Sequence, residues 1–192
     1  MIDFLYSIDV TIFFFINHSL ANPILDWVMP FLTDLNKQKP VWVIAVALVG
    51  WVVWKGGPKG RAAIGVLIVT IIISDQFNSS LLKGIFHRLR PCSVLEGVRL
   101  LVHCGSGLSF PSSHAVNNFA GAFVISHFYT KQKWFWFLFA SLVALSRPYV
   151  GVHYPSDIFA GACIGIGIGF FTTALWEGIK IQINFKKKNK EK

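Results

Sequence analysis

Charge is what this chain has least of. Charged residues make up 14% of its 192 residues, and only nine of them are acidic, against roughly 25% charged in soluble domains. Too few charges remain to cover a soluble surface, which excludes an ordinary soluble enzyme. Cysteine is scarce too: Cys92, Cys104 and Cys163 are too few for a disulfide-stapled scaffold. Cys92, Cys104 and His103 also lack the spacing of a metal site, and none is expected. The N-terminus has no basic leader region and no small-residue cleavage pattern before Asn22 and Pro23, and it carries Asp3 and Asp9. It does not read as a signal peptide, so the first apolar block is expected to stay in the mature protein.

Hydrophobic residues supply 54% of the chain. They fall in blocks separated by short polar or basic punctuation, the pattern of a polytopic membrane protein. The expectation is a single all-α membrane domain over 1–192, with six transmembrane helices plus a short interfacial helix. The spans are expected at about 4–20, 40–54, 62–82, 113–130, 134–146 and 155–176. Several are shorter than the ~20 apolar residues that cross a bilayer core. Trp42, Trp51, Trp54, Trp134, Trp136 and Trp176 suit interfacial anchors that extend them. Pro23, Pro30 and a mixed apolar pattern mark 22–39 as the interfacial helix.

The net charge of +9 invites a nucleic-acid reading, which the placement of the cations excludes. Eleven of the 18 basic residues lie at Lys55, Lys59 and Arg61, at Lys131 and Lys133, and in a tail over 180–192. With a cytoplasmic N-terminus and six crossings, all three groups fall inside, as the positive-inside rule requires. Lys83, Arg88, Arg90, Arg99 and Arg147 fall outside, with Lys37 and Lys39 as mild exceptions. Cys92 and Cys104 share that outer side, where either a disulfide or two free thiols is open.

Three outer segments carry polar residues that a membrane protein would not keep without cause. Lys83 to Pro91 ends the third span, Pro111-Ser112-Ser113-His114 opens the fourth, and Ser146 to Asp157 joins the fifth and sixth. Lys83, Arg90 and Arg147 supply three positive charges, which match a phosphate better than a carboxylate, and Arg offers planar paired donors for its oxygens. Ser112 and Ser113 stand at a helix N-terminus, where free N–H groups favour an anion. Pro155 suits the first position of the sixth helix, so His153 lies just before a second N-terminus and Asp157 falls in its first turn.

The pattern Lys-x6-Arg-Pro, Pro-Ser-x-His and Ser-Arg-x5-His-x3-Asp resembles the three-part signature of the type-2 phosphatidic acid phosphatase superfamily. Ser113 stands where that family usually has Gly, which bears on how closely the loop approaches a phosphate. The motifs span 83–157, and the six-span layout extends the likeness over nearly the whole chain. The resemblance implies His153 as nucleophile, forming a phosphohistidine, with Asp157 holding its imidazole in the attacking tautomer. It implies His114 as the acid for the leaving oxygen and later the base for water. Lys83, Arg90, Arg147, Ser112 and the Ser113 N–H would hold the phosphoryl oxygens, with no metal or other cofactor. A nucleophilic His must be neutral; a helix N-terminus favours that form and Asp157 opposes it.

The expected partners are the bilayer and a membrane lipid phosphate. By analogy the carrier is undecaprenyl diphosphate, with lipid A 1-phosphate or phosphatidylglycerophosphate as alternatives, at a bacterial inner membrane and with the site facing outward. An anionic-solute transporter would use the same cations, but it would not need two histidines and Asp157 beside them, and it tends to show internal repeats that are not found here. A soluble haloperoxidase with this motif chemistry is disfavoured by the apolar spans. Asp75 shares a helix face with Ser79 and Lys83 and is read as support, orienting Lys83 or pairing with a neighbouring helix. Asn117 and Asn118 are placed one turn behind His114. Gly161, Gly165 and Gly169 read as a packing seam. His18 and His127 receive no role. His87, Arg88, Arg99 and His103 read as solvated loop charge bordering the site, with a second phosphate or headgroup as the alternative.

Overall fold

The structure, a computed structural model, describes residues 2–190; Lys192 of the basic tail lies outside the described residues. It is helical throughout, with no strand among the described residues. The helices are α1 (Ile2–Phe14), α2 (Pro23–Thr33), α3 (Lys39–Lys55), α4 (Gly57–Gln76), α5 (Lys83–Phe86), α6 (Pro91–Val94), α7 (Ser113–Phe128), α8 (Lys133–Tyr149) and α9 (Pro155–Lys190). A π-helical turn over Phe15–Ser19 prolongs α1, and another over Phe77–Leu82 joins α4 to α5.

Each expected span has a helix. The stretches Gly57–Val94 and Pro155–Lys186 are long and apolar enough to cross a membrane. The pair Asp3–Ser19 and Pro23–Thr33, bent by 118°, makes a third if it is one span. The bend has a local cause: Asn22 caps α2 by accepting the Leu25 N–H at 3.0 Å, and Pro23 follows at the first helical position, a standard helix start. α3, α7 and α8 hold 17, 16 and 17 residues, reaching about 25 Å at 1.5 Å per residue.

Two boundaries differ from expectation. The basic loop at 55–61 is mostly helix, because the chain reverses at Gly57, whose φ of +58° suits glycine, and Pro58 follows in the first turn of α4. α9 runs on past Trp176 to Lys190, since the Lys-rich tail has good helix propensity and no proline.

The central packing is α7 against α9, with α4 and α8 alongside. The glycine seam makes the close approach possible. A methyl group on Gly161 would sit 2.8 Å from the Ala115 Cβ, and one on Gly169 would sit 2.8 Å from the Phe123 Cβ. Buried threonines join the same layers, with Thr70 Oγ1 of α4 2.7 Å from Thr172 Oγ1 of α9.

Candidate active site

The N-termini of α7 and α9 meet at one end of this packed pair: the Ser112 N–H donates to the Asp157 carbonyl at 3.1 Å. The loop between α8 and α9 brings His153 alongside. Gly151, at φ +92°, makes that loop possible, and a side chain there would lie 2.9 Å from the Arg99 carbonyl. Sequence-distant motifs thus converge, and His153 and Asp157 are buried together at 1% and 0% exposure.

Asp157 fixes the histidine. Its Oδ2 accepts from the Ser109 hydroxyl at 2.5 Å and the Tyr154 N–H at 2.8 Å, and it lies 3.4 Å from His153 Nδ1. Its Oδ1 accepts from Arg88 Nη1 at 2.8 Å. The Ser109 proton is committed to Asp157, so Ser109 Oγ, 3.3 Å from His153 Nδ1, faces the ring as an acceptor. An ionised carboxylate is likewise acceptor-only. Nδ1 therefore carries the proton and Nε2 keeps the lone pair. Burial is the dominant influence on this imidazole, followed by the hydrogen bond to Asp157, which opposes it, and by the charges of Arg147 and Arg90; the pKa is lowered to about 4. His153 is neutral at pH 7.

Arg90 and Arg147 lie close to His153. Arg90 Nη1 lies 3.3 Å from His153 Nε2, and Arg90 is braced by its Nε donating to the Gly107 carbonyl at 2.8 Å. Arg147 is buried and donates from Nη1 to Thr33 Oγ1 at 3.0 Å. Lys83 is close enough to feel the positive charges of both arginines. Two polar donors here have no hydrogen-bond partner among the described residues, the Ser112 hydroxyl and Arg147 Nε, both buried; the Asn78 Oδ1 acceptor at the α7 start has none among them either. Leaving such groups unpaired costs about 1–3 kcal/mol each, and an anion bound among the cations would satisfy both donors.

His114 opens α7, and its Nε2 donates to the Thr33 carbonyl at 3.0 Å. Ser113 uses its hydroxyl to accept from Asn78 Nδ2 at 2.8 Å, tying the α7 start to the π-helical turn. Asn118 Nδ2 donates to the His114 carbonyl at 2.8 Å. Asn117 is part of the α4 contact, accepting from Ser74 and donating to Asp75 Oδ1 at 3.2 Å. Asp75 therefore pairs with the neighbouring helix, one of the two supporting roles expected for it. A groove of about 470 Å³ runs past His114, lined by Leu32, Val41, Trp42, Phe139 and Val143 and also by Asp75.

The solvated reading of Arg88 and Arg99 is corrected. Arg88 lies between Asp9 and Asp157, and Arg99 pairs with Asp26 at 2.7 Å. Carboxylates 69 to 79 positions away in sequence supply the pairing, so local charge pattern gives no hint of it. Asp26 is held below the usual carboxylate range by hydrogen bonds from Tyr149 and then Arg99. Cys92, in α6, and Cys104 are joined as a disulfide, and Cys163 is free. Ser109, Thr33 and Asp9 are the site residues that sequence reasoning missed. A buried Asp in α1 was the one visible signal, since an ionisable group in an apolar helix needs a partner.

A buried His–Asp pair thus lies beside two arginines and two helix starts in an apolar helical protein. The profile of the PAP2 superfamily matches residues 63–180. A lipid A 4'-phosphatase of Bacteroides thetaiotaomicron is 34% identical over 86% of this chain and 75% of its own. An undecaprenyl-diphosphatase of Sulfolobus acidocaldarius is 31% identical over 79% and 70%. The crystal structure of Aquifex aeolicus LpxE aligns with a TM-score of 0.65 and 29% identity, over 86% of this chain and 94% of that one. The chain belongs to the PAP2 superfamily, and it is a phosphatase.

Proposed function

We propose that the protein hydrolyses a lipid phosphate or diphosphate through a phosphohistidine on His153, without a metal. The observation that carries this is the pair of buried groups without a partner among the described residues, Ser112 Oγ and Arg147 Nε, near His153, whose Nε2 lone pair faces the Arg90 guanidinium. In the first step Nε2 attacks phosphorus, the bond from phosphorus to the carrier oxygen breaks, and His114, entering as the imidazolium with its Nε2–H on the Thr33 carbonyl, gives that oxygen the proton of its Nδ1. In the second, His114 takes a proton from water, whose oxygen attacks the phosphohistidine and releases inorganic phosphate. Lys83, Arg90, Arg147, Ser112 and the Ser113 N–H hold the charge that develops on the phosphoryl oxygens. Ser113 in place of glycine leaves that N–H in the chain, and its side chain is turned to Asn78.

The carrier we favour is undecaprenyl diphosphate, in keeping with the activity named for the Sulfolobus relative. A lipid A phosphate is the second reading, supported by the Bacteroides relative. In either case the carrier would lie in the groove past His114, whose apolar lining residues suit a lipid. We place the chain in a bacterial inner membrane with six crossings, the site outside and the basic C-terminus in the cytoplasm. The test is phosphate release by purified protein, with EDTA present, from polyprenyl, glycerophospholipid and saccharolipid phosphates. Release from one class at a kcat/KM well above the rest identifies the carrier. No release from any would leave anionic-solute binding as the better reading.

A further inference from the structure

The Arg88 guanidinium is held on two sides. Nη2 donates to Asp9 Oδ2 of α1 at 2.6 Å, and Nη1 donates to Asp157 Oδ1 at 2.8 Å and to Ser156 Oγ at 2.6 Å. The plane stacks over Tyr154, with Cζ 3.9 Å from the ring centroid. Asp9 completes the frame by accepting from the Ser156 N–H at 2.9 Å and from its hydroxyl at 2.5 Å. The main chain of Arg88 reaches the same carboxylate by another route. Its carbonyl accepts the Ser109 N–H at 2.7 Å, and the Ser109 hydroxyl donates to Asp157 Oδ2. One residue therefore sets both oxygens of Asp157, directly and through Ser109.

We propose that Arg88, held in place by Asp9, is a positioning residue for catalysis: it keeps Asp157 an ionised acceptor aimed at His153 Nδ1. This rests on the reading of His153 as nucleophile. Asp157 has 0% exposed side chain and Asp9 10%, so neither has enough water to replace the cation between them. Without it, a proton taken by Asp157 would turn the acceptor facing Nδ1 into a donor, and the tautomer that leaves Nε2 free would no longer be enforced. Arg88 touches neither His153 nor the unpartnered groups of the phosphate pocket, so its removal acts on turnover and not on substrate capture.

The experiment compares wild-type, Arg88→Ala, Asp9→Asn and His153→Ala proteins. It uses undecaprenyl diphosphate and phosphatidylglycerophosphate in mixed detergent micelles and records melting temperature alongside kinetics. Arg88→Ala is expected to lower kcat about 10- to 100-fold, the worth of a charged hydrogen bond, with KM nearly unchanged. The site is open enough, at 23% side-chain exposure, for added guanidinium ion to restore part of the lost kcat. Asp9→Asn is expected to lower kcat by a smaller factor, also at constant KM. Wild-type kcat in Arg88→Ala overturns the proposal. So does a loss that follows melting temperature, resists guanidinium and leaves Asp9→Asn at full rate. If Arg88→Ala does not fold, Asp9→Asn decides alone by the same kcat criterion. Turnover by His153→Ala would remove the underlying nucleophile assignment, a separate failure.

Discussion

At the scale of single residues, the site depends on protonation states set by burial. His153 is a base whose pKa has fallen from its ordinary value near 6.5 to about 4, so its neutral form dominates above that value, and the nucleophile we propose would be lost below it. The rate of phosphoenzyme formation should therefore stay flat as pH falls from 8 to 5 as far as His153 is concerned, then drop towards pH 4. Single-turnover measurements on a pH series check this; a limb near 6.5 would mean an imidazole as solvated as a free one. Ser112→Ala removes a buried hydroxyl that has no hydrogen-bond partner among the described residues. It should cost about 10- to 100-fold in kcat/KM, as loss of a hydrogen bond to a charged group does, with little change in melting temperature. A drop in stability as large as the drop in rate would point to a capping role instead.

The motif residues were legible in the sequence because their meaning lies in short spacings: His153 and Asp157 four apart, Ser112 and His114 two apart, Lys83 and Arg90 seven apart. Ser109, Thr33 and Asp9 were not, because their roles arise from contacts across the fold. Asp9 meets Ser156 across 147 positions and Thr33 meets Arg147 across 114. A charge at Arg88 looks the same in a sequence whether water or two carboxylates surround it.

At the scale of elements, the seam between α7 and α9 holds two helix starts together and so holds the site. Gly161 and Gly169 face α7 with no room for a methyl group, while Gly167 has nothing near it. Gly161→Ala should lower stability by about 1–3 kcal/mol, as overpacking does, and should reduce activity because Ser112 lies at the same contact. Gly167→Ala should do neither. Thermal unfolding in detergent distinguishes them, and equal melting temperatures would contradict the seam. The helices themselves were legible from apolar blocks and proline starts. The continuation of α9 was not, because polar residues after Trp176 mark the end of a span without ending a helix. At about 54 Å for 36 residues, α9 exceeds a ~30 Å bilayer core, and its lysine end reaches beyond it.

At the scale of the whole molecule, six crossings would put the three cation groups on one side and the site on the other. Reporter fusions after Lys133 and at the C-terminus should both read cytoplasmic, and one within 95–107 should read outside. Two fusions on the wrong side would break the six-span layout while leaving the chemistry intact. The central claim is tested most directly by quenching the enzyme during turnover of a 32P-labelled lipid phosphate and locating the label. A phosphoryl group on His153 that is lost in acid and kept in base, absent from His153→Ala and retained for longer in His114→Ala, is the result expected. Phosphate release by His153→Ala near the wild-type rate, or label carried stably on any other residue, would contradict it.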